Sequence, residues 1–301
     1  MKPDDLPIDY IKRTAAYYQA LGYGAPYQWA NYDDVPFAAL SKPLKECTIA
    51  IVTTAAPYQP DKGDQGPGAP YNADAKFYQV YAMKCSTMPD LRISHVGIDR
   101  THTTAEDMGS YFPLAALTNA YKAGKIGKMA DQFFGLPTNR SKRTTSDVDA
   151  QDLLSRCKAA DVDAALLVPN CPVCHQSTSI AARILEEAGI ATVVMGCAKD
   201  IVENVGVPRF LFSDFPLGNS AGLPNDPDSQ QATLNMALDL LEQAKASRTT
   251  TQSPLKWNGV PDWKDDYSNA AKLSSEEIAQ RRAAFDIAKN TAKKLREKVE
   301  G

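Results

Sequence analysis

Ala164-Ala165-Leu166-Leu167-Val168-Pro169-Asn170-Cys171-Pro172-Val173-Cys174-His175 carries the chain from an unbroken apolar run straight into two cysteines and a histidine. The run, opened by Asp163 and closed by Pro169, reads as a strand buried on both faces of a parallel sheet. Beyond it, residues 177–189 place Ile180, Ala181, Ile184, Leu185 and Ala188 at helical spacing, with Gly189 as the stop. The cysteines therefore fall at a strand-to-helix junction. Cys171 sits near the first turn, where unpaired N–H groups and the helix dipole favour a thiolate over a thiol.

Working outward, the same alternation recurs. Residues 8–21 read as a helix and 23–45 as a Pro- and Tyr-rich wrap. Residues 47–54, β-branched and apolar, read as the first strong strand. A loop rich in Gly, Pro and Asp (59–72) leads to a second predicted strand over 92–98. Helices are expected at 114–123 and 150–159, strands at 191–196 and 209–212, and a helix at 231–246. Strands and helices in this order predict an α/β fold, a doubly wound and mostly parallel sheet with helices on both faces. Its ligand crevice would lie at the carboxyl ends of the strands. Residues 1–246 are assigned to this unit. Residues 247–269 read as a surface strap anchored by Trp257, Trp263 and Tyr267. A capping box of Ser274 and Glu277 then opens an amphipathic helix striped by Ile278, Phe285, Ala288, Ala292, Leu295 and Val299.

Composition limits the function classes. A chain of 301 residues, 44% hydrophobic, buries a large core, and its net charge of −3 comes from interspersed acids and bases. Nothing in it points to nucleic acid or to a membrane surface. No run approaches eighteen apolar residues, and the opening residues lack a signal-peptide core. A cytoplasmic location is therefore expected, with the six cysteines as thiols.

Cys-x-x-Cys-His has several readings. Haem attachment requires export. Zinc would need ligands from elsewhere, and no second Cys-x-x-Cys or His-x-x-x-His pair is present, so no metal is expected. Two inert buried cysteines are the bland alternative. A redox or nucleophilic pair is the sharp one. The crevice rule gathers further chemistry beside the pair: Thr53 and Thr54 end the first strand, Cys197 follows the 191–196 strand, and His95, Asp99 and His102 lie at or after the second predicted strand. For His95 the alternative is a satisfied core histidine, and for His102 a solvated loop residue.

The chain also resembles a known family, the selenoprotein B subunits of glycine, sarcosine and betaine reductases, with the related selenoprotein subunit of D-proline reductase. The resemblance covers most of the chain. It is carried by Asp9-Tyr10-Ile11, Pro26-Tyr27-Gln28-Trp29, Val52-Thr53-Thr54-Ala55, Ser94-His95-Val96-Gly97-Ile98-Asp99 and Glu106-Asp107-Met108. Phe112-Pro113-Leu114, Gly124-Lys125-Ile126-Gly127, the cysteine pair, and Phe215-Pro216-Leu217-Gly218-Asn219 with Gly222 and Pro224 complete it. It implies a reductase in which Cys171 stands at the position of a selenocysteine that attacks a carbon bearing an amino group. Cys174 stands at the position of the resolving cysteine. Sulfur departs from that pattern, being less nucleophilic and less acidic than selenium, with a free pKa of about 8.5.

The reading is then a disulfide-forming oxidoreductase acting on a small molecule, with His175, His95 or His102 supplying protons. Thr53, Thr54, Asp99, Asp107, Cys197, Phe215, Gly218 and Asn219 are the candidate pocket residues. The chain is expected to carry no cofactor of its own; the resemblance implies a pyruvoyl group on a partner subunit. A thioredoxin-like protein or a low-molecular-weight thiol would be the reductant, and a homo-oligomer is expected. Two alternatives stay open: a cofactor-independent racemase or lyase using Cys171 and Cys197 as a thiol pair, and a non-catalytic or redox-sensing subunit of a larger complex.

Overall fold

The computed structural model describes residues 6–257 and 263–300, excepting the side chains of 288, 292, 295, 296 and 298–300. In chain order the strands are β1 (Thr48–Thr53), β2 (Ala56–Pro57), β3 (Tyr81–Lys84), β4 (Leu91–Arg92), β5 (Lys128–Met129), β6 (Gln132–Gly135), β7 (Ala164–Val168), β8 (Ala191–Gly196), β9 (Arg209–Phe212) and β10 (Thr249–Gln252). The helices are α1 (Tyr10–Ala20), α2 (Leu114–Lys122), α3 (Ala150–Ala159), α4 (Pro172–Glu187), α5 (Lys199–Val205), α6 (Pro227–Gln243), α7 (Trp263–Asp266) and α8 (Ser275–Glu300).

The main sheet runs β10-β9-β8-β7-β1-β6-β3, with β5 also paired to β1. Every pairing is parallel except β3 with β6 at one edge. Alternate residues face opposite layers, as the period of a strand requires. Ile49 and Ile51 join α2 and α6 in one core, while Ala50 and Val52 join α3 and α4 in the other. The sheet is thus the doubly wound α/β arrangement expected.

The topology explains where a site can form. After β1 the chain moves toward β6 on one side of the sheet, with α2 on one face. After the adjacent β7 it moves the other way, with α4 on the opposite face. Loops that leave neighbouring strands for opposite faces open a crevice between them. Here that switch point falls between β1 and β7, at Thr53-Thr54 and Asn170-Cys171.

Several expectations are corrected. The strand predicted over 92–98 pairs only at Leu91–Arg92, antiparallel to β2 and outside the main sheet. Gly97 breaks the run by packing against Pro172, where an added Cβ would lie 2.7 Å from the proline Cδ. His95 therefore lies in a connection and not at the carboxyl end of a sheet strand. Helix α4 starts at Pro172, five residues before the expected start, because proline suits the first helical position and Cys171 caps it. The presumed strap opens as a strand, β10, whose threonines pair in parallel with β9. Trp263 and Tyr267 are buried anchors, and Trp257 packs on Phe215 at 5.8 Å between ring centroids. The Ser274–Glu277 capping box forms as expected. In the predicted stripe, Phe285 packs on Tyr18 and Tyr23. Ala288, Ala292, Leu295 and Val299 lie outside the described side chains.

Candidate active site

Cys171 is the N-cap of α4, with extended backbone (φ −130°, ψ 169°), and its sulfur accepts the Cys174 N–H at 3.2 Å. An N-cap side chain and the residue three positions on face each other across the first turn. That geometry brings the two cysteines to a Cα–Cα separation of 4.9 Å, inside the range a disulfide spans. Cys171 and Cys174 are bonded. Cys171 is 6% exposed and Cys174 fully buried, so access to the pair is through Cys171.

His175 holds this turn in place. Its Nε2 accepts the backbone N–H groups of Cys197 (2.9 Å) and Ala198 (3.2 Å). Two donors on one nitrogen fix it as the acceptor, so the proton resides on Nδ1 and is donated to the Cys171 carbonyl at 2.7 Å. Burial pushes His175 down to about 4, which keeps it neutral. Gly196 makes the room: a Cβ there would come within 2.7 Å of the ring. The imidazole thus ties the end of β7 to the end of β8.

Cys197 is buried, and burial pushes its thiol up to about 12, partly offset by the Ser220 hydroxyl and the N–H groups of Phe215 and Asn219. Ser220 in turn donates to the Pro169 carbonyl. Across the switch point, Thr54 Oγ1 accepts both the backbone and side-chain N–H of Asn170 at 3.1 Å. Thr53 Oγ1 accepts the Ala55 N–H and lies fully buried.

The Asp99–Thr103 loop and the Phe215–Asn219 turn close over the same region. Asp99 N–H donates to the Leu217 carbonyl, and Asn219 Nδ2 donates to Thr103 Oγ1. Gly218, at φ +112°, has Thr103 Cγ2 3.2 Å from where a Cβ would stand, so both its conformation and its closeness call for glycine. His102 bridges two carboxylates, with Nδ1 3.1 Å from both Asp99 oxygens and Nε2 3.3 Å from Asp266. Burial raises the Asp99 carboxyl against the pull of His102. Beside Asp266, Tyr267 donates its hydroxyl to the Gly97 carbonyl, while Arg13 of α1 donates to the carbonyls of Lys264 and Tyr267.

Two site candidates lie apart from this network. Asp107 caps the turn at Met108–Ser110 and accepts from Asn225 N–H and Gln230 Nε2, which gives it a framework role. His95 lines a narrow cleft beyond Thr54, together with Lys76, Tyr71, Tyr81 and Thr138. Its Nδ1 is buried without a hydrogen-bond partner. Burial first, and then the charges of Lys76 and Arg100, push it down to about 3. Sequence reasoning missed Asn170, Gly196, Ser220 and Asp266, whose roles exist only through tertiary contact. Among the described residues no group of three or more His, Cys, Asp or Glu is arranged to hold a metal ion. None of the helices among them is long and apolar enough to cross a membrane.

A doubly wound sheet with a Cys-x-x-Cys pair at the start of a helix beside its switch point defines an α/β protein whose two cysteines meet across one helical turn. The chain belongs to the glycine/sarcosine/betaine reductase selenoprotein B family, whose pattern it matches over residues 19–170, up to the residue before Cys171. It is similar to D-proline reductase subunit gamma of Acetoanaerobium sticklandii, 26% identical over 219 residues, 72% of this chain and 88% of that protein. Glycine reductase complex component B subunit gamma of Carboxydothermus hydrogenoformans is 27% identical over 222 residues, 73% of this chain and 49% of that protein. Betaine reductase complex component B subunit beta of Peptoclostridium acidaminophilum is 25% identical over 190 residues, 62% of this chain and 43% of that protein. The chain thus spans about half the length of its glycine and betaine reductase relatives. No solved structure matches it.

Proposed function

We propose that the protein is a thiol-dependent reductase in which Cys171 is the nucleophile and Cys174 the resolving thiol. The observation that carries this reading is the pair itself, closed across the first turn of a 16-residue helix at the sheet's switch point. In the reduced protein the Cys171 thiolate would attack a carbon bearing an amine leaving group. A C–S bond forms, the C–N bond breaks, and the amine departs with a proton. Cys174 then attacks the Cys171 sulfur, so that S–S forms and S–C breaks. The carbon keeps that electron pair and takes up a proton, a step eased when a carbonyl adjoins it. The substrate gains two electrons and the dithiol loses two.

A thioredoxin-like protein or a low-molecular-weight thiol returns those electrons. A pyruvoyl group on a partner subunit would supply the carbonyl for capture of a substrate amine. Family membership and the names of the relatives support a role in a reductase complex, and a homo-oligomer is part of the proposal. Of the three histidines, His95 is the one with an unpartnered nitrogen beside a cleft, which makes it the proton-transfer candidate. His175 serves instead as a positioning residue. The thiol-pair alternative asks Cys197 to ionise, and burial opposes that.

The test is a single turnover. Protein is reduced, freed of excess thiol and mixed with glycine, sarcosine, betaine or D-proline, alone and with candidate partner subunits. Two thiols should disappear for each product formed, and Cys174→Ser should accumulate a mass adduct on Cys171. Product formation by Cys171→Ser would overturn the proposal.

A further inference from the structure

The first turns of α1 and α5 meet acid to acid. Asp9 caps α1 by accepting the Lys12 N–H at 3.0 Å, and Asp200, in the first turn of α5, accepts the Ile11 N–H at 2.7 Å. The two carboxyl groups are also within hydrogen-bonding reach of each other. Asp9 has a cation against it, since Lys12 Nζ lies 2.7 Å from its Oδ2. Asp200 Oδ1 is buried and takes no N–H or O–H from the described residues. Two carboxylates in contact repel each other unless one of them holds a proton. Asp9, with Lys12 beside it, suits the charge, and Asp200 Oδ1 is the oxygen left to carry the proton. Burial would raise the Asp9 carboxyl, but the Lys12 ammonium and N–H hold it below its ordinary value. Burial, opposed by the Ile11 N–H and reinforced by the Asp9 charge, pushes Asp200 up to about 7.

The pair sits against the corner that steadies the two cysteines. Ala198, which precedes α5, and Cys197 before it give their N–H groups to His175 Nε2. Tyr10, the neighbour of Asp9, is buried in one apolar cluster with Cys197, Ala198 and Ile201. The other ionisable groups around the acids are Tyr10, Tyr267 and Cys197, all pushed up by burial, and Asp99 on the far side of Tyr10. On α5 itself, Lys199 lies over the Phe212 ring and Glu203 accepts the Thr250 hydroxyl. Arg13 of α1 is turned to the carbonyls of Lys264 and Tyr267. Lys12 is the cation that bears on both acids, and its direct contact is with Asp9.

We propose that Asp9 and Asp200 form a pH-sensitive latch, sharing one proton that clamps the first turn of α1 to the first turn of α5. With the proton in place, Asp200 donates to Asp9 while it accepts from Ile11. Without it, two negative charges meet and α1 rests less firmly on the Cys197–Ala198 corner. The sign follows from linkage. A carboxyl that is protonated while α1 is docked and ionised when α1 lifts away makes docking strongest in acid. Docking weakens as pH rises from the ordinary aspartate value of about 3.9 toward about 7, and levels off above that. The latch stands apart from the reductase reading, since it requires no sulfur chemistry.

Amide hydrogen exchange on the full chain, corrected for the intrinsic effect of pH on exchange, reads α1 separately from a distant helix such as α6. Between pH 5 and pH 8 the protection of α1 should fall by roughly a hundredfold, the change that one proton held up to about 7 allows. α6 should show no matching fall. Asp200→Asn keeps an acceptor for Ile11 and gives Asp9 a permanent donor, so α1 should hold its acid level of protection across the range. At pH 8 the Cys197 and Ala198 amides should exchange more slowly in that variant than in the parent; equal rates there would overturn the reach of the latch to the cysteine pair. With carbon-13 in the aspartate carboxyls, one carboxyl of the parent should titrate near pH 7, be missing from Asp200→Asn, and move to lower pH in Asp9→Asn. No aspartate titrating near pH 7, protection of α1 that ignores pH in the parent, or an unchanged slope in Asp200→Asn would each overturn the latch. A slope shared equally by α6 would assign the effect to global unfolding and overturn it as a local device.

Discussion

His175→Ala tests the scaffold of the site directly. The substitution leaves the N–H groups of Cys197 and Ala198 without their shared acceptor, and Cys171 loses the Nδ1–H at its carbonyl. That carbonyl still accepts the His175 backbone N–H, so its loss is the smaller one. Two orphaned buried donors cost about 1–3 kcal/mol each, and partial relaxation or water entry trims the total to about 3 kcal/mol. In a protein of this size that corresponds to a fall in melting temperature of about 5 °C. The pH dependence is the sharper signature. His175 is pushed from 6.5 down to about 4 in the folded protein. A depressed histidine contributes fully above the unfolded value, and its contribution drains away as pH falls from 6.5 to about 4, by about 3 kcal/mol. The variant lacks this term, so its deficit should be largest near pH 7.5 and nearly gone by pH 4. Urea unfolding of both proteins across that range measures it. A variant as stable as the parent at pH 7.5, or a deficit that does not change with pH, would refute the tautomer and bracket described for this ring.

Other outcomes follow from neighbouring groups. After reduction, limiting alkylation at pH 7 should label Cys171 first, because burial holds Cys157 and Cys197 up to about 12 and Cys85 up to about 11; peptide mapping that finds any of these labelled first contradicts it. His95→Ala should lower turnover by about 10²-fold, the usual scale of general acid–base catalysis, while the melting temperature shifts by only a few degrees, since Nδ1 has no partner to strand; a large stability loss with intact turnover would make it a core residue. Arg209→Met strands the buried Glu186 carboxylate, now paired at 2.8 Å, and should cost about 3–5 kcal/mol in denaturant unfolding; a variant of unchanged stability would show that Thr192 and Ala38 suffice to hold that charge.

The sheet's centre was legible because β1, β7, β8 and β9 are buried almost throughout and so are mainly apolar and β-branched or aromatic. Its margins were not. β10 is a run of threonines with no apolar period, β3 is nowhere fully buried, and β6 opens on the exposed Gln132 and ends on Gly135. The 92–98 run has strand composition, yet Gly97 is claimed by Pro172, a contact no local pattern reveals. At the candidate site, the closeness of Cys171 and Cys174 was readable from their spacing. The meaning of His175 was not, since its partners are 22 and 23 residues away at the end of the next strand.

The contacts of Asp266 and Tyr267 have a bearing on how the protein can be shortened. Composition changes near residue 246, and that is where a trimmed version would naturally end. Such a truncation would remove the strand that finishes the sheet, the carboxylate facing His102 and the hydroxyl that fastens Gly97. It would also strip α1 of the carbonyls that Arg13 grips, loosening the opposite terminus. The loop resting on Pro172 would lose its backing from both ends of the polypeptide at once. A shortened form must therefore run at least through Tyr267 to preserve the surroundings of the dithiol, however dispensable the tail looks in the sequence.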